Sequence, residues 1–321
     1  MNATGSASAA QLPWWEQLTI VVCSSPVPSN PSTVTLQRAF ASFALVPDLP
    51  RAHKLLHLDG PQPALPRKRR DAYSEFVSRV RELARNDAAF RRSRVVLSER
   101  FLFAAHNLAA AVRLVETQFM LVTQHDFVLV RPFDAPNLLR TMREARIVKH
   151  VRLNARSNVA HGFDTVVENY TCAKCHVALA RTCGWSDGPH VASRDYYLRV
   201  VVPRNQQDQD GGRHKFMEES MHYGMLKAHA EGGCWAARSA VARGEPPAWP
   251  PEWRKFGTFL YGIASAADGS YMKHRSLRGR VPQWGLPDPA TPRGADDALR
   301  KAAKAKAATG GILSKVNRTN R

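Results

Sequence analysis

The stretch Phe119-Met120-Leu121-Val122-Thr123-Gln124-His125-Asp126-Phe127 decides how this chain is read. Apolar residues run into a polar triplet that ends in a carboxylate, and apolar residues resume at once. A short, unbroken apolar run of this kind predicts a strand buried on both faces. Such strands build parallel sheets, and ligands of those sheets gather where the carboxyl ends of the strands open into loops. Asp126 then stands at the mouth of a buried strand. It is either a surface aspartate ending that strand or an oxygen ligand placed for a divalent cation.

Working outward, Leu18-Thr19-Ile20-Val21-Val22-Cys23 reads as a first buried strand. It breaks into residues 24–32, a loop of Ser, Pro and Asn. Residues 33–45 carry apolar side chains at helical spacing. Residues 54–58 read as a second strand stopped by Asp59-Gly60. A strong amphipathic helix is predicted over 71–86, a third strand over 95–97, and an Ala-rich helix over 104–116. Strand alternating with helix predicts an α/β fold with a mainly parallel central sheet flanked by helices. The polar strand ends at Ser24, Asp59, Ser98-Glu99 and Gln124-His125-Asp126 then share one edge. Further on, 147–153 reads as a strand, 154–190 as loop, 196–202 as β-prone and 215–229 as a helix carrying Glu218-Glu219. Residues 257–262 read as a short strand between glycines.

The chain has 321 residues, 44% of them hydrophobic, enough to bury one large core. Its formal net charge of +19 favours polyanionic or phosphorylated partners through long-range attraction. Arg67-Lys68-Arg69-Arg70 and Arg91-Arg92-Ser93-Arg94 are local clusters, and residues 286–321 read as a basic, disordered tail. The first 16 residues also read as disordered and lack the basic start of a secretory signal. No segment is long enough to span a membrane. Five cysteines are an odd and sparse set. They predict reduced thiols and a cytoplasmic compartment. Cys172-Ala173-Lys174-Cys175-His176 has the spacing of a haem-attachment motif and, with Cys183, of a zinc site. It is read here as a chance pair, with structural zinc as the alternative.

The first strand with its Ser-Pro-Asn loop (20–32), Leu58-Asp59-Gly60, and the helix leading into Phe119 to Asp126 together resemble a glycosyltransferase of the GT-A type, closest to the family 2-like enzymes. The resemblance covers roughly 17–275 and implies a single GT-A-like, Rossmann-like domain over 17–285. Its nucleotide-sugar-binding half would span 17–135 and its acceptor half 136–285. It implies transfer of a sugar from a nucleotide-sugar donor to a glycan or other hydroxyl acceptor, with nucleic acid not a partner. In that family the fourth strand ends in Asp-x-Asp, whose acids contact the ribose and the metal on the diphosphate. Here Gln124 and His125 depart from the pattern and Asp126 is retained; glutamine still hydrogen-bonds a ribose hydroxyl.

By the resemblance, Asp126 with a late histidine, His274, would hold Mn²⁺ or Mg²⁺. Ser24, Pro26, Asn30, Asp59 and Gln124 would border the nucleotide. Glu218 or Glu219 would be the base that removes the acceptor's proton in an inverting reaction. Adjacent helical residues point about 100° apart, so one of the two faces the site. Cys183-Gly184-Trp185-Ser186-Asp187-Gly188-Pro189-His190 suits an acceptor loop, with Trp185 stacking on a sugar and Asp187 fixing hydroxyls; the alternative is a structural turn with Trp185 in the core. Two other classes stay open: a non-catalytic transferase fold or basic nucleic-acid-binding protein, and a nucleotidyltransferase.

Overall fold

The computed structural model describes residues 12–161, 164–209, 216–229, 233–247, 249, 251, 253–267 and 269–274. They lie within one compact unit, Met1–Leu277. The basic tail and residues 1–11 lie outside the described residues.

The four strands expected in the first half form as β1 (Leu18–Ser24), β2 (His53–Leu58), β3 (Ser93–Leu97) and β4 (Phe119–Gln124), with β3 only half-buried. They stand in the order β3-β2-β1-β4, all parallel. Ile20, Val21 and Val22 are buried because helices cover both faces of β1. The covering helices are α1 (Val34–Ser42), α2 (Arg67–Asn86) and α3 (Phe103–Arg113). In α2, Tyr73, Phe76, Val77 and Val80 recur at one helical face and are buried. The small side chains of α3 let it press onto the sheet, and Asn107 bonds the His57 ring at 2.5 Å and the His57 carbonyl at 3.3 Å.

Beyond β4 the sheet continues through β5 to β11, of which five strands extend it. In chain order these are β5 (Phe127–Leu129), β6 (His150–Arg152), β7 (Val167–Tyr170), β8 (Leu179–Thr182), β9 (His190–Ser193), β10 (Thr258–Tyr261) and β11 (Met272–His274). The full order is β3-β2-β1-β4-β9-β6-β10-β8-β7, a nine-stranded sheet, with β5 and β11 paired separately. Among the described strands of the large sheet, β8 and β9 run against the remainder, so it is mainly parallel. The architecture is the α/β layer the sequence predicts.

Several local expectations fail. Residues 196–202 are helical, not extended: α5 (Arg194–Tyr196) passes through a π-helical turn, Tyr197–Val201, into α6 (Val202–Gln209). Ser193 caps this run by accepting from the Tyr196 amide, and Tyr196, Tyr197 and Val201 are buried from it. Aromatic and β-branched content suggested a strand; a cap and packing override so weak a preference. The 154–190 loop contains β7 and β8. A helix α4 (Ala135–Glu144) opens at Asp134, whose side chain accepts from the Asn137 amide at 3.1 Å, with proline just inside. The remaining helices are α7 (Met217–His229), α8 (Gly233–Ala242) and α9 (Trp253–Phe256). Within the supposedly disordered N-terminus, Trp14–Gln17 forms a 3-10 turn whose Glu16 holds Arg92 at 2.7 Å.

The cysteines also differ from expectation. Cys172 pairs with Cys175, and Cys183 with Cys234 across 51 residues of sequence. The Cys172–Cys175 pair is therefore neither chance nor zinc. An odd count masks two bridges when the fifth cysteine, Cys23, sits half-buried in β1. Disulfides persist in oxidising compartments, so the thiol argument for a cytoplasmic location loses its premise. Among the described residues, no helix is long and apolar enough to cross a membrane. Burial and the charge of Asp59 push the Cys23 thiol up to about 12. The expected result is one titratable thiol per chain after denaturation without reductant, silent toward alkylation in the native state. Five thiols under the same conditions would return the cysteines to the reduced reading.

Candidate functional site

Parallel pairing brings the carboxyl ends of the strands to one edge. Ser24 lies opposite Leu58, Leu58 opposite Leu97, and Cys23 opposite Gln124. β6 ends at Arg152 on this edge, and the reversed β9 begins there, His190 facing both Val122 and Arg152. The loops after β1, β2, β3 and β4 and the loop before β9 therefore converge.

At the end of β4 the chain turns through His125-Asp126 straight into β5. β5 pairs antiparallel with β11, in a register that sets His274 opposite Phe127. This ribbon returns His274 onto Asp126, and Nε2 lies 2.9 Å from Oδ2. The His274 ring rests 4.8 Å from that of Phe127. Asp126 is 5% exposed, and its Oδ1 is buried without a hydrogen-bond partner. Two groups singled out 148 positions apart in the sequence thus meet at the site's centre. No cluster of three His, Cys, Asp or Glu side chains suited to a metal exists among the described residues. A hard cation bound through one or two protein groups plus phosphate oxygens and water does not need three, and the orphaned Oδ1 is the kind of atom it takes.

The nucleotide-side residues divide. Asn30 accepts from the Val27 amide at 2.8 Å and closes the loop after β1, leaving Ser25 and Pro26 half-buried at its rim. Ser24 is buried. Asp59 is fully buried, which corrects its expected direct contact with a nucleotide: a side chain without exposed surface has no edge to offer. Its Oδ1 accepts from the Gly60 amide at 2.9 Å and the Leu102 amide at 2.6 Å, and its Oδ2 from Ser25 at 3.4 Å. Burial raises its pKa while these donors oppose the rise. Asp59 locks the loops that form the wall of the edge.

On the acceptor side, Met217, Met221 and Met225 form the buried stripe of α7. Glu218 and Glu219 flank that stripe, half-buried. Desolvation, followed by the charge of Glu218 and then of Glu219, pushes the Asp187 carboxyl up to about 7. The three acids singled out for acceptor chemistry therefore share one neighbourhood. Trp185 does not join them. It is fully buried, donates to the Tyr196 hydroxyl at 3.1 Å and stacks on His150 at 4.9 Å. Its expected sugar-stacking role is corrected to a core role, because the loop's path points the indole into the sheet's second half.

Sequence reasoning missed the polar floor beside this loop. The buried Asp164 accepts from Arg152, from Arg156 at 2.8 Å and from Thr182 at 2.7 Å. Burial works to raise Asp164, and the two guanidiniums with Thr182 overcome it, holding the carboxyl below its usual range. His190 is pinned between the Gly188 carbonyl at 2.6 Å and the Tyr197 hydroxyl at 2.7 Å, and burial pushes it down to about 4. Nothing local marks Asp164, since its partners arrive from other elements.

No family model matches the chain, and no curated protein matches it. Among solved structures, GalNAc-T7 with UDP, GalNAc and Mn²⁺ is similar over 85% of this chain and 45% of its own, at 12% identity and a TM-score of 0.44. Staphylococcus aureus TarS 1-349 in complex with UDP-GlcNAc is similar over 57% and 46%, at 9% identity and a TM-score of 0.36. The chain spans less than half the length of either.

The raised Asp187 carboxyl carries a stability signature. Its folded pKa, about 7, exceeds its ordinary 3.8, so its protonation favours the fold below pH 3.8, and that contribution is lost as pH rises through 7. Asp187→Asn is expected to melt with the wild type at acidic pH and above it at pH well over 7. Parallel melting curves across that range, measured by circular dichroism, would refute the cluster.

Proposed function

We propose that the chain is a glycosyltransferase that moves a sugar from a nucleotide-sugar to a hydroxyl acceptor at the carboxyl edge of its sheet. The observation that carries this reading is the return of His274 onto Asp126 at the end of β4, beside an orphaned carboxylate oxygen. Asp126 and His274 would hold Mn²⁺ or Mg²⁺. Such a cation would offset the negative charge on a leaving diphosphate. Ser25 and Pro26, with Ser24 and Asn30 behind them, would border the nucleoside, and Gln124 would hydrogen-bond its ribose. Asp59 would act from behind by fixing the loop wall.

Glu218 or Glu219 would remove the proton from the acceptor hydroxyl as its oxygen attacks the anomeric carbon and the bond to the diphosphate breaks. Asp187 would contribute in a different way. At neutral pH it stands near half-protonation, so it can both donate to and accept from a sugar hydroxyl. The polar floor of Arg152, Asp164 and Arg156 would keep the acceptor loop rigid.

The test is release of nucleoside diphosphate from a panel of nucleotide-sugars with Mn²⁺ present. One donor is expected to be consumed. Asp126→Asn and the more important of Glu218→Gln and Glu219→Gln are each expected to slow consumption about a hundredfold or more. Consumption that survives all three substitutions unchanged would refute the reading.

A further inference from the structure

We propose that the face formed by the start of α2 and the loop after β3 is a docking surface for an anionic lipid membrane. Its cations come first. Arg67, Lys68 and Arg70 are exposed on the first turn of α2, and Arg100 is exposed on the loop after β3, its backbone against Gly60. The turn carries no acid, and its cap residue, Pro66, supplies no side-chain cap. Cations here oppose the positive end of the helix dipole and repel one another. The exposed pair of Arg67 with Asp71 one turn on, at 3.8 Å, offsets only part of this repulsion. Arg70 folds back to donate to the Leu65 carbonyl at 2.7 Å, while the Arg67 side chain remains 89% exposed.

Apolar groups lie among these charges. Phe103 is 44% exposed, and the half-buried Phe101 packs against it with ring centroids 4.4 Å apart. Pro61, Pro63 and Pro66 are exposed on the adjoining loop. Phe103 stands at φ 61°, a left-handed backbone that a phenylalanine seldom adopts.

One residue holds both halves of the face together. Asp59 takes the Leu102 amide on its side chain and the Tyr73 hydroxyl on its carbonyl at 2.5 Å. The approach is so close that a Cβ on Gly60 would stand 2.3 Å from the Arg100 backbone. Cations around exposed phenyl and prolyl groups match a lipid interface, where the cations meet phosphates and the rings enter the acyl boundary. A dissolved polyanion would leave the apolar groups in water. This face adjoins the carboxyl edge, so docking brings that edge to lipid-borne hydroxyls. The docking stands whether or not the proposed transfer does.

The test uses the full chain with vesicles of equimolar phosphatidylglycerol and phosphatidylcholine, against phosphatidylcholine alone. Flotation is expected with the anionic vesicles only. Reversing two charges, Arg67→Glu with Lys68→Glu, is expected to weaken partitioning about tenfold or more. Lys301→Glu with Lys304→Glu in the tail is expected to leave most of it. Phe103→Asn, which keeps the left-handed backbone, is expected to make the remaining binding fail at high salt. Phe103→Trp is expected to shift its emission to the blue on anionic vesicles. Partitioning unchanged by the Arg67 and Lys68 reversals, or lost only with the tail reversals, would overturn the proposal. So would a Phe103→Trp response to UDP or polyphosphate and none to vesicles.

Discussion

Everything at the functional edge depends on the parallel registration of β1 between β2 and β4. That pairing sets Ser24 opposite Leu58 and Cys23 opposite Gln124, so the loops that follow must open on the same side. It holds because Ile20, Val21, Val22, Leu121 and Val122 are buried from both faces. A slip of one residue would exchange the faces of every side chain in the strand. The edge is thus positioned by burial of apolar surface, at roughly 25 cal/mol per Å², and not by the polar groups that use it.

The polar groups at the edge then divide by burial. Those with no exposed surface, Asp59 and Asp164, have their oxygens taken up by donors and serve as fasteners. An ionised carboxylate without such donors would be costly to bury. Asp126 is the exception: it is nearly as buried, yet one oxygen is left over. Asp187 is a second departure: burial, and then the charges of Glu218 and Glu219, raise its carboxyl to about 7. At Asp126 an unpaired carboxylate oxygen sits beside a histidine, which is the kind of place where a ligand completes the pairing.

The first half of the fold was legible because strand and helix alternate there with clear periods. The short strands β7, β8 and β11 were not, since nothing like the glycines that bracket β10 marks them; β8 and β11 moreover take partners far along the chain, β10 and β5. Asp126 and His274 could each be named from the sequence, but their meeting depends on the β5–β11 ribbon. Asp59 and Trp185 were read as facing a ligand because residue type reveals chemistry and not direction. The indole in fact packs on His150, and the carboxylate on backbone amides. The disulfides were hidden for a similar reason: Cys183 and Cys234 come within a Cα separation of 6.0 Å only once β8 and α8 are packed.

The most direct test of the central claim is the thermal unfolding midpoint of the full chain with UDP, GDP, CDP or ADP, each with and without Mn²⁺, repeated on Asp126→Ala. A ligand that binds only the folded state raises the midpoint by mass action. The account predicts that one nucleoside diphosphate raises it, that Mn²⁺ enlarges the rise, and that Asp126→Ala removes the enlargement. A cooperative transition that none of the four nucleotides moves would contradict it.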